Sequence, residues 1–192
     1  MKLLASTAML SLGALGLAAC GGDDAVSYSA PVGIKLQVRS GDVAGGVAST
    51  DKNINTESGN PYAAFIADAR DALGGNDPGR IEVEGVTLTL ATTSTGVTTM
   101  GEVFDGTTEV QFVMNSNNTS YPVASIAVVA TTGAGPIDLD VGFDSTTVAD
   151  ADWSGVVGGS FKVVLTGPAQ ADFENAGADA DLDATFTFGA YP

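Results

Sequence analysis

From residue 32 onward the chain alternates apolar and polar positions in short runs, the two-residue period of half-buried β-strands. In "VGIKLQVR", Ile34, Leu36 and Val38 fall on one face and Lys35, Gln37 and Arg39 on the other. The run "IEVEGVTLTLAT" changes phase part-way. Ile81 and Val83 point inward, then Val86, Leu88 and Leu90 do, so an extra residue at Gly85 predicts a β-bulge. "TEVQFVMN" is expected to bury Val110, Phe112 and Met114, and "PIDLDVGFD" to bury Ile137, Leu139, Val141 and Phe143. "SFKVVLTG" supplies another strand, and "LDATFTFGAY" buries Leu182, Ala184, Phe186 and Phe188. "PVASIAVVATT" is apolar on both faces, which predicts a central strand covered on two sides.

One segment keeps a different period. In "GNPYAAFIADARDALGG", Tyr62, Phe65, Ile66, Ala69 and Leu73 form a stripe at helical spacing. Asn60 suits the N-cap, Pro61 the first helical position and Gly74 the stop. Residues 40–59 are small, polar and glycine-rich, and read as a long loop with room for a short strand. Asp105-Gly106, Ser116-Asn117-Asn118 and the Gly133–Pro136 stretch mark turns. About seven strands and one helix predict a mainly β protein. The leading architecture is an immunoglobulin-like β-sandwich with one packed α-helix, formed by a single domain over residues 32–192; a β-barrel is the alternative.

The amino-terminal region obeys neither pattern. Met1–Ala19 has Lys2 at its start, an apolar core from Leu3 to Leu17 and small residues at the end, the parts of a signal peptide. The core is shorter than the roughly 20 residues a membrane span needs, and Gly13 and Gly16 interrupt it. At its end, Leu17-Ala18-Ala19-Cys20 resembles the lipobox of bacterial lipoproteins. That resemblance implies cleavage between Ala19 and Cys20, a diacylglycerol thioether on the Cys20 sulfur, and acylation of the new amino terminus. The partner it implies is the lipid bilayer, held through acylated Cys20, and Gly21 after the cysteine favours the outer membrane of the cell envelope. Cys20 is the sole cysteine of the chain, so an attachment point also explains an otherwise unpaired thiol. Residues 20–31 then read as a flexible tether.

Composition narrows the functional classes. The chain carries 23 acidic and 7 basic residues, for a formal charge of −16. Such a surface repels nucleic acid and anionic headgroups. A hydrophobic content of 44% argues against disorder. Histidine is absent, which excludes Ser-His-Asp and Cys-His catalysis and histidine ligation of zinc.

The remaining candidate chemistry is carboxylate. Asp138, Asp140 and Asp144 fall on one strand face, with Asp150 and Asp152 close behind. Downstream, Asp172, Glu174, Asp179, Asp181 and Asp183 cluster near a turn and are the favoured calcium candidates, since calcium takes six to eight oxygens from flexible loops. Neither stretch matches an EF-hand. Two other readings stay open: solvated surface, or pairing of Lys35 and Arg39 with Asp138 and Asp140 across neighbouring strands. Trp153 either anchors a loop onto the core or joins Tyr121 or Tyr191 in a ligand platform for a sugar or a protein. These features point to a non-catalytic structural or protein-interaction role beside an envelope protein. The alternatives are a calcium- or glycan-binding module and a carboxylate-based hydrolase.

Overall fold

The computed structural model describes residues 26–55 and 59–192. The expected signal peptide, Cys20 and the expected tether up to residue 25 lie outside the described residues. In chain order the elements are β1 (Tyr28–Arg39), β2 (Val47–Ile54), α1 (Pro61–Ala72), β3 (Arg80–Leu90), β4 (Gly106–Met114) and β5 (Ser120–Val128). There follow β6 (Ile137–Asp138), β7 (Asp140–Val141), α2 (Asp150–Val157), β8 (Phe161–Pro168) and β9 (Asp179–Tyr191).

The strands make two antiparallel sheets, ordered β1-β9-β3-β6 and β2-β8-β4-β5-β7. Each sheet keeps two edges and neither closes, so the fold is a β-sandwich and not a barrel. The alternation sets the layers: Val32, Ile34, Leu36 and Val38 from β1 and Leu182, Ala184, Phe186 and Phe188 from β9 are all buried in one core. Phe112 of β4 lies within 4.8 Å of Phe161 and 6.2 Å of Phe188, ring centroid to ring centroid, and so joins one sheet to the other.

The helix α1 forms where its stripe predicts. Asn60 Oδ1 accepts the Tyr62 amide at 2.9 Å, Pro61 occupies the first turn, and Tyr62, Phe65, Ile66 and Ala69 are buried. Tyr62 sets its ring edge-on to Phe161 and Phe188, and its hydroxyl donates to the Val156 carbonyl at 2.9 Å. Full burial pushes the Tyr62 phenol far above its usual range. The bulge also stands: the β3–β9 register slips between Val83 and Gly85.

Four expectations change. β1 begins at Tyr28, inside the expected tether, because Tyr28–Pro31 pair with Ala190–Thr187. Pro31 gives no alternation signal, and it is tolerated because β1 is an edge strand. The loop after β1 contains the eight-residue edge strand β2, of which only Ala48 and Ile54 are buried. β5 is not covered on both faces: it lies one strand from the edge, with Ala127 exposed and Ser125 and Ile126 half-buried. The run at 136–144 breaks into β6, paired with β3, and β7, paired with β5. The chain changes sheets between Asp138 and Asp140, leaving Val141 exposed while Leu139 and Phe143 stay buried.

The register defines two ends. Tyr28, Arg80 and Tyr191 lie at the end where β1 enters, beside α1, whose Phe65 ring sits 5.8 Å from that of Tyr28. Arg39, Leu90 and Asp179 lie at the other end.

Candidate functional site

A cleft of about 860 Å³ opens on the half of the sandwich remote from Tyr28. Three strands make its floor. β1 presents Lys35, Gln37 and Arg39 outward, and these stand opposite Asp183, Asp181 and Asp179 of β9. On the other side of β9, Thr89 of β3 stands opposite Asp183, and the chain beyond β3 adds Thr92 and Thr93. The edge strand β2 contributes Thr50, Asp51 and Lys52.

A hydrogen-bond chain fixes this floor. Arg39 Nε donates to Gln37 Oε1 at 3.1 Å, and Gln37 Nε2 donates to Asp181 Oδ1 at 2.8 Å. Thr93 Oγ1 donates to Asp181 Oδ2 at 2.7 Å. The Thr93 hydroxyl, then the Gln37 amide, and then the charges of Lys35 and Arg39 hold the Asp181 carboxyl below its ordinary value. A depressed carboxyl contributes stability above the unfolded value of about 4 and loses it as pH falls through the folded one. Replacing Thr93 with valine removes the leading donor, so Asp181 is expected to titrate at higher pH. Carbon-detected NMR titration of the Asp181 carboxyl reads this directly, and an unmoved curve contradicts the assignment.

The five downstream acids do not converge. Asp179, Asp181 and Asp183 alternate along β9, about 7 Å apart, with Arg39 Nε 3.9 Å from Asp179. Asp172 and Glu174 lie in and beside the 3-10 turn at Phe173–Asn175. Asp172 borders a separate hollow beside Glu102 and Phe173. Among the described residues, no three His, Cys, Asp or Glu side chains gather closely enough to hold a metal ion.

The upstream acids also separate. Lys35 and Arg39 face Asp183 and Asp179, whereas Asp138 lies opposite Thr87 and Asp140 opposite Ser125. In place of the expected pairing of Lys35 and Arg39 with Asp138 and Asp140, Arg39 pairs with Asp179 of β9 and Lys35 stands opposite Asp183. Asp144 accepts both the amide and the hydroxyl of Thr146, which lowers its pKa and caps a 3-10 turn. Asp152 turns inward. It is 3% exposed, accepting Tyr121 Oη at 2.8 Å, Asn117 Nδ2 at 2.9 Å and Ser116 Oγ at 3.3 Å.

Trp153 packs half-buried against the core from α2. Neither proposed companion makes a platform with it. Tyr121 is only 7% exposed and is committed to Asp152. Tyr191 is covered by the Arg80 guanidinium, 4.2 Å above its ring, and donates to Glu84 at 2.7 Å.

No family model, no curated protein and no solved structure matches this chain.

The cleft itself escapes a linear reading of the sequence. Lys35 and Asp183 are opposite each other in space and 148 positions apart in the chain. The signal that was available is the scarcity of cations. Of the six described lysines and arginines, Lys35, Arg39 and Lys52 all line this one cleft.

Proposed function

We propose that this protein is a lipid-anchored component of the bacterial cell envelope, held at the outer membrane through Cys20, whose folded body acts by binding other envelope molecules and not by catalysis. The observation that carries the reading is Leu17-Ala18-Ala19-Cys20, preceded by an apolar core and followed within eight residues by a folded strand at Tyr28. Eight residues span at most about 30 Å even when fully extended. The anchor would therefore keep the entry end, with α1 and Tyr191, near the bilayer. The cleft lies on the opposite half and would face outward.

Charge supports the same arrangement. With a formal charge of −16 over the whole chain, the acidic body is repelled by anionic headgroups, so it stands away from the membrane while the acyl chains hold it there. Each buried methylene contributes about 0.8 kcal/mol, which makes three chains a permanent attachment. Among the described residues no helix is long and apolar enough to cross a membrane.

The non-catalytic half of the proposal rests on the buried carboxylate. A general acid or base needs a carboxyl with free hydrogen-bonding capacity toward a substrate. Asp152, the one buried carboxylate among the described residues, accepts from three side chains that lock α2 to the β4–β5 turn. Its role is structural.

Metabolic labelling with palmitate tests the anchor. The natural chain is expected to take up label and to lose residues 1–19, while Cys20→Ala is expected to remain an unlabelled, full-length precursor. Normal labelling of the variant, or a free Cys20 thiol in the intact mass of the natural protein, overturns the reading.

A further inference from the structure

Two lysines in the cleft are conspicuous by what they lack. Among the described residues Arg39, Arg70, Arg80 and Lys162 each have a carboxylate within 4.0 Å, namely Asp179, Asp77, Glu82 and Asp51. Among those same residues Lys35 and Lys52 have none, in a chain with 23 acids to 7 bases. Both are exposed and both line the same cleft. Excess acid makes pairing easy, so two ammonium groups in one cleft without a direct ion pair, Lys35 acting on Asp181 only through its longer-range charge, leave room for a negative group brought from outside.

The rest of the lining restricts what that group belongs to. Four carboxylates, Asp42, Asp51, Asp181 and Asp183, face the cleft together with the hydroxyls of Thr50, Thr89 and Thr93. A dense anion such as a phosphate cluster would meet this ring of carboxylates and be repelled. A ligand that spaces its carboxylates one to a sugar ring, among many hydroxyls, brings only one of them to the lysines and meets less of that repulsion. That carboxylate would lie between Lys35 and Lys52, and the ligand's hydroxyls would donate to Asp183 and to the lone pairs Asp181 has left. The Arg39–Gln37–Asp181–Thr93 chain holds that wall in place before any ligand arrives, which reduces the ordering cost of binding. A volume of about 860 Å³ lies within the usual range for ligand clefts, about 300–1,000 Å³.

We propose that this cleft binds acidic sugars, uronate units of an envelope or extracellular polysaccharide. The proposal names a ligand class for the body and does not depend on the anchor, which is read by labelling and mass and not by sugar binding.

Calorimetric titration of the full chain in detergent with trigalacturonate tests it. Saturable binding is expected, and the double variant Lys35→Gln, Lys52→Gln should weaken it about tenfold or more, the loss expected for charge-assisted contacts. The fully methyl-esterified trimer, identical except for its neutralised carboxylates, should bind at least as weakly to the natural chain. Arg70→Gln, which removes the same charge near α1, should change nothing. Any one of four results overturns the proposal: no binding of trigalacturonate, equal binding of the ester, an unaffected double variant, or an Arg70→Gln loss as large as that of the lysines. Displacement of the trimer by inorganic phosphate at equal concentration would also overturn it, because the cleft would then be a plain anion site. Thermal melts of each variant separate lost binding from lost folding.

Discussion

Phe112→Ala is expected to lower the unfolding free energy by about 4 kcal/mol, the middle of the range for truncating a fully buried phenylalanine. Phe112 is 1% exposed and contacts aromatic rings from three directions: Phe143 at 5.4 Å, Phe161 at 4.8 Å, and Phe186 and Phe188 at 6.1 and 6.2 Å. Phe161 belongs to its own sheet, and Phe186 and Phe188 belong to the other. Alanine would leave a void at the point where the sheets meet. The flanking strands could not close it without breaking the β4–β8 pairing. Phe112→Leu keeps most of the volume and should cost less than half as much. Urea unfolding at constant m-value measures both. A loss below about 1 kcal/mol for the alanine variant would mean that the aromatic cluster is loosely packed and that the sandwich is held together elsewhere.

Where burial follows a local period, the sequence is readable. The alternation in β1 and β9 places each residue it names correctly, Ile34, Leu36 and Val38 and then Leu182, Ala184, Phe186 and Phe188, because a two-residue period carries its own phase. The stripe and cap of α1 do the same for a helix. Local period says nothing about which strand lies beside which. Lys35 faces Asp183 and not Asp138 because the first and last strands of the domain are neighbours, a long-range closure. The cleft shares that origin, since its cations come from β1 and β2 and two of its four acids, Asp181 and Asp183, from β9. α2 is the other failure. "DADWSGVV" has no capping side chain at Ala149, and a glycine lies inside the helix. Its inward face includes an aspartate, which any hydrophobic pattern assigns to solvent. The helix exists because Val156 and Val157 are buried and Asp152 finds three donors that lie far away in the sequence.

That aspartate carries the second large effect. Asp152→Ala is expected to destabilise the fold by about 2–3 kcal/mol, since hydrogen bonds to a charged acceptor contribute more than neutral ones and truncation leaves donors unmatched. The three donors do not suffer equally. Ser116 and Asn117 are exposed and can turn to water, whereas Tyr121 is buried and its hydroxyl would be stranded. The same hydroxyl accepts the Ala149 amide at 3.1 Å, so its displacement also loosens the start of α2. An asparagine at this position would repair the site only in part: with its oxygen kept toward Tyr121, its amide nitrogen could donate to the Ser116 hydroxyl but would face the Asn117 amide nitrogen, itself a donor. Asp152→Asn should therefore recover only part of the loss. Tyr121→Phe removes the stranded group, and in the Asp152→Ala background it should cost much less than it does alone, giving a coupling of about 1 kcal/mol or more in a double-mutant cycle. If Asp152→Ala proves neutral, or if the two substitutions simply add, then the carboxylate is solvated. In that case α2 is held by Val156, Val157 and Trp153 alone, and a catalytic use of Asp152 returns to consideration.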